Sequence, residues 1–76
     1  MKKFKIHLLL KGGHSIWCFE ADGTGEKDVE DIERDICVHI DDDYRLVYFN
    51  EVTCDTKVHI IPSMIVAFSV YEVITE

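Results

Sequence analysis

The chain opens on two alternating runs, Phe4 to Leu10 and Ser15 to Ala21, separated by Lys11-Gly12-Gly13-His14. A period of two marks half-buried strands. A Gly-Gly pair between them marks a hairpin, because primed turns need the positive φ that glycine adopts without steric cost. With Gly12 and Gly13 as the two central residues, Lys11 pairs with His14 and the register runs outward. One face then carries Leu10 opposite Ser15, Leu8 opposite Trp17, Ile6 opposite Phe19 and Phe4 opposite Ala21, a surface suited to the core. The other carries His7 with Cys18, Lys5 with Glu20, and Leu9 with Ile16 as an apolar spot on the side expected to meet water.

After the turn Asp22-Gly23-Thr24-Gly25 the period changes. Val29, Ile32 and Ile36 recur at helical spacing with acids between them, which predicts an amphipathic helix from Glu26 to about Val38. Thr24 is its expected N-cap, and the early acids suit the positive end of the helix dipole. Ile36 to Ile40 is rich in β-branched residues and also fits a short strand. Asp41-Asp42-Asp43 then breaks the pattern. Strands follow at Tyr44 to Phe49, Lys57 to Ile61 and Ile65 to Val73, with a 3₁₀ turn at Pro62-Ser63-Met64 set by the fixed φ of proline. The order is β-β-α-β-β-β. It predicts an α+β fold, a small five-stranded, mostly antiparallel sheet or SH3-like barrel with one amphipathic helix, and an open sheet as the alternative.

Length makes this one domain, residues 1–76, at the size where folding buries only about 60% of the chain's surface. The apolar fraction of 47% with a single proline argues for a folded chain rather than a disordered one. Cys18, Cys37 and Cys54 are an odd set with no CxxC, which suggests a reducing cytoplasm. The longest apolar run, Met64 to Phe68, is far short of the roughly 20 residues of a membrane span, so no membrane partner is expected. The net charge of −7 is unevenly placed: Glu20 to Asp43 holds eleven acids against Lys27 and Arg34, while Lys2, Lys3, Lys5 and Lys11 flank the first strand. The acidic half should repel phosphates, so free nucleic acid is not expected as a ligand.

The order KIHLLLKGGHSIWCFEAD, RLVYFN and VHIIPSMIVAFSV resembles small, mostly uncharacterised bacterial and bacteriophage proteins with SH3-like or Sm-like β-meanders. The resemblance covers most of the chain outside the acidic insert from Gly25 to Asp43, and it implies a fold without a catalytic residue. Sm-like RNA binders would carry basic or aromatic positions in their loops, where this chain offers acids.

Candidate chemistry is sparse. Four histidines and three cysteines lack zinc-ligand spacing. His7 and Cys18, neighbours in the expected register, make a nucleophile-base pair without a pocket or an orienting third group. The stretch from Asp22 to Glu33 has the length of a calcium loop, but Lys27 stands where such a loop needs glycine. No cofactor and no enzymatic activity are expected. The acids are the candidate partner-binding set: Glu26, Glu30, Asp31, Glu33 and Asp35 on the helix, with Asp41, Asp42 and Asp43 after it. Like charges at this density cost stability that a basic protein partner would relieve, and in the sharper form they imitate DNA phosphates. The expectation is a non-enzymatic interaction protein that docks through this face or through a strand edge. A homo-oligomeric module is the alternative, and a metal-binding domain a further one.

Overall fold

A computed structural model describes residues 2–53 and 55–73, which leaves Cys54 outside the described residues. Five strands form one antiparallel sheet: β1 Lys2–Leu10, β2 Ser15–Asp22, β3 Leu46–Asn50, β4 Lys57–Ile60 and β5 Ile65–Val73. The helix α1, Val29–Asp42, follows β2, and a 3₁₀ turn, Pro62–Met64, follows β4. The spatial order is β4-β3-β2-β1-β5, so β4 and β5 are the two edges although only a short turn separates them in sequence. Five fully extended residues reach about 17 Å. Four interstrand spacings in a flat sheet amount to about 19 Å. Since 3₁₀ winding shortens the link further, the sheet has to curl.

The hairpin is one residue out of the expected register. His7 lies opposite Trp17, Lys5 opposite Phe19 and Ile6 opposite Cys18. Gly12 and Gly13 do take positive φ, at 89° and 84°, but the loop has three residues, closed by the Leu10 N–H donating to the His14 carbonyl at 2.7 Å. The Lys11 N–H, which a two-residue turn would give to His14, donates instead to the Met64 carbonyl at 2.9 Å. Docking of the hairpin tip on the 3₁₀ turn thus selects the longer loop. A slip of one residue exchanges the faces of a strand. Ile16 and Cys18 therefore face the core, while Trp17 and Phe19 face out, the reverse of the expectation.

The inner face of the sheet and α1 share one core: Phe4, Ile6, Leu8, Cys18, Leu46, Tyr48 and Ile60 meet Ile32 and Ile36. Helix initiation falls at Asp28 rather than Thr24. The Asp28 carboxylate accepts the Asp31 N–H and the Asp31 carboxylate accepts the Asp28 N–H, both at 3.0 Å, a closed capping box. Thr24 serves the preceding turn, where its hydroxyl donates to Asp22 Oδ1 at 2.7 Å. The helix also runs four residues past Val38, through Asp41 and Asp42. Ile36 and Ile40, four apart, both pack on the core, and that burial outweighs the few tenths of a kcal/mol that β-branched residues cost a helix. Asp43 ends it in the left-handed region at φ 56°. The Tyr44 N–H bonds the His39 carbonyl at 3.0 Å, which delays β3 to Leu46. The 3₁₀ turn and β5 have the expected bounds, and no helix among the described residues is long and apolar enough to cross a membrane.

Candidate functional site

Because α1 covers only the inner face, the side chains on the other side of the sheet are left to solvent. One transverse row on that outer face crosses all five strands through paired residues: Lys57 with Phe49, Phe49 with Phe19, Phe19 with Lys5, and Lys5 with Tyr71. The neighbouring row holds Trp17 beside His7, their rings stacked at 4.4 Å between centroids. Phe19 and Phe49 stack at 5.5 Å, and Tyr71 lies 6.1 Å from Trp17. These rings stay accessible: Trp17 is 40% exposed, Phe49 37% and Tyr71 51%. Cross-strand aromatic pairs on a pleated surface hold one another upright, so the platform is rigid at modest cost.

The same face is basic. Lys3, Lys5, His7, Lys57 and His59 project from it, and no outward position of the described strands is acidic. Glu51, just past β3, reaches the Lys5 ammonium in an ion pair. Lys5 Nζ also lies 5.6 Å from the Trp17 ring centre, within range of a cation–π attraction. A shallow groove of about 160 Å³ opens here, with Lys3, Lys5, Phe19 and Glu51 in its walls.

The acidic candidates occupy the opposite layer. Asp31 is engaged in the capping box and with Arg34 at 3.3 Å, and Asp35 lies 3.8 Å from the Lys27 ammonium. Glu30, Glu33 and Asp41 follow one exposed ridge of α1, while Glu26 precedes the helix and Asp42 and Asp43 close it. The structure therefore joins Glu30, Glu33 and Asp41 into one stripe and spreads the others over the helix ends and flank. At the seam of helix and sheet, Lys27 bridges Glu20 at 3.7 Å and Asp35. Burial raises the Glu20 carboxyl above its ordinary range, although Lys27 pulls the other way. Burial, with the Glu20 and Asp35 charges behind it, raises the Tyr48 phenol as well. The cluster is a lock between layers, in which the single Lys27 ammonium is shared by the Glu20 and Asp35 carboxylates.

Two sequence-level constellations come apart. His7 and Cys18 emerge from opposite faces, so they form no nucleophile-base pair. Burial, then the Glu51 charge, pushes the Cys18 thiol up to about 11, where it is neutral and unreactive at physiological pH. The candidate calcium loop folds on itself, with Asp22 accepting the Thr24 hydroxyl and the Thr24 and Lys27 N–H groups.

Sequence reasoning missed the outer face. Ile16-Trp17-Cys18-Phe19 is apolar at every position, so alternation assigns neither half of it to the core. The available signal lay in the company the aromatics keep: Phe49 and Tyr71 alternate with core residues in their own strands, which leaves them outward. Comparison of the chain with protein-family models, with curated proteins and with solved structures found no match.

Proposed function

We propose that this protein is a non-enzymatic binding module whose working surface is the outer face of the sheet. The observation that carries the reading is the row Lys57, Phe49, Phe19, Lys5, Tyr71 beside Trp17 and His7. Antiparallel sheets with one wet face ordinarily alternate apolar-in with polar-out, and contiguous exposed aromatics depart from that rule where a partner binds. Rings on a stiff lattice lose little conformational freedom on contact, so binding there costs less than binding through mobile loops. The curled strand order and the 3₁₀ link between the edges support the SH3-like resemblance as a proposal of architecture.

Trp17 is the only tryptophan, so 5-fluorotryptophan labelling gives one ¹⁹F resonance located on the face in question. In concentrated cell extract that resonance is expected to broaden or shift, and in the low-molecular-weight filtrate to stay unchanged. An unperturbed signal in whole extract overturns the reading. Broadening that scales with the protein's own concentration in plain buffer would instead report a homo-oligomer, for which the unpaired edge of β5 is the nearest candidate.

A second reading, docking of a basic protein on the acidic helix face, is favoured by the ridge Glu30, Glu33 and Asp41, for which no ion pair is found among the described residues. It requires steep loss of binding with added salt and no response at Trp17.

A further inference from the structure

Building on the outer face as the working surface, we infer that its occupant is a single-stranded nucleic acid. Proteins that hold single strands without reading sequence combine aromatic platforms, on which bases stack, with cations that follow the phosphates. The outer face supplies both in alternation. Phe49 and Phe19 lie between Lys57 and Lys5 in one row, and Trp17 with Tyr71 continues the rings along the sheet. Four interstrand spacings give the row a length of about 19 Å. That suits the short end of the roughly 4–16 nucleotides such surfaces cover.

Other occupants fit less well. An amphipathic helix needs a continuous apolar groove, but Lys5 interrupts the row of Phe49, Phe19 and Tyr71, and the groove beside it is shallow and sets Lys3, Lys5 and Glu51 among Phe4, Phe19 and Val73. An added peptide strand pairs with an edge, not with a face. A double helix would need an element able to enter a groove, and these rings lie across the broad face of a five-stranded sheet.

The acids that argue against nucleic acid at the level of sequence are on the helix layer, behind the sheet. The molecule is 17 Å across its thinnest direction. The screening length at physiological salt is ~8 Å, so a strand on the outer face senses mainly Lys3, Lys5 and Lys57. Glu51 opposes them locally. Its ion pair with Lys5 keeps that ammonium from a phosphate, which makes Glu51 an attenuator of affinity.

The test titrates a thymidine octamer into the full chain and follows Trp17 fluorescence. Saturable quenching is expected, and with Lys3 and Lys57 as the lysines open to phosphate it should weaken roughly sevenfold between 50 and 200 mM salt. Phe49→Ser, which removes one stacking ring, should weaken binding about tenfold. Glu51→Gln, which leaves the backbone bond from its N–H intact, should tighten it about threefold by freeing Lys5. Absence of quenching, equal competition by inorganic polyphosphate or by duplex DNA, or a Glu51→Gln variant that binds no tighter each overturns the inference. Failure here is separable from failure of the working surface: if the ¹⁹F resonance of Trp17 responds to cell extract and the response survives nuclease but not protease, the face binds a protein and the nucleic-acid assignment is wrong.

Discussion

At the scale of single residues, the most informative side chain outside the outer face is Asp22. It is nearly buried and accepts the Lys27 N–H at 2.8 Å, the Thr24 hydroxyl at 2.7 Å and the Thr24 N–H at 3.1 Å. The Lys27 backbone bond first, then the Thr24 hydroxyl, hold its carboxyl down to about 2 from an ordinary 3.8. A depressed folded value means that the unfolded chain takes up the proton first as pH falls. The stabilisation is therefore complete above about pH 4 and disappears between pH 4 and 2. Asp22→Asn should lower the urea midpoint by a constant amount above pH 4, and the gap to the parent should close below it. A gap that persists at pH 2 would show that the carboxylate's charge is not what these donors stabilise. Residue identity alone reveals little of this. An Asp before Gly-Thr-Gly reads as a turn residue, and its three donors converge only because β2 delivers it against the N-terminal approach to α1.

At the scale of elements, much was legible and one element was systematically misassigned. β5 and the 3₁₀ turn were readable because proline fixes φ and the run behind it has no competing period. The helix was readable as a helix but not at its ends. Its start depends on the reciprocal bonds of Asp28 and Asp31, and its end on burial of Ile40, a tertiary contact that outweighs local propensity. The Asp43 cap is strained by comparison with glycine, since an L side chain at φ 56° crowds its own backbone. Asp43→Gly should therefore raise stability, by up to about 1 kcal/mol, read as a higher urea midpoint at unchanged slope. A lower midpoint would mean that Asp43 contributes a contact worth more than its strain. β2 was misassigned because both of its faces are apolar. Turn length decides its orientation, and the Lys11 to Met64 bond that sets the turn joins residues 53 apart in sequence, beyond the reach of any local pattern.

At the scale of the molecule, the slip of that one strand determines which side chains the outer surface presents. In the longer-loop register the core receives Ile16 and Cys18, and the outer face gains Trp17 and Phe19 in line with Lys5, Phe49 and Tyr71. The two layers then divide the exposed charge: Glu30, Glu33 and Asp41 on the helix ridge, and Lys3, Lys5, His7, Lys57 and His59 on the outer face of the sheet. In the expected register Trp17 and Phe19 would fill the core, and both the proposed binding surface and its proposed nucleic-acid occupant would have no basis. Cross-strand contacts between Hα atoms in solution NMR separate the alternatives, because only non-hydrogen-bonded antiparallel pairs bring those atoms close. With Leu10 hydrogen-bonded to His14, the close pairs alternate from Leu9 and Ser15 onward. Strong contacts between His7 and Trp17 and between Lys5 and Phe19 are the expected result; contacts between Leu8 and Trp17 and between Ile6 and Phe19 would contradict the account.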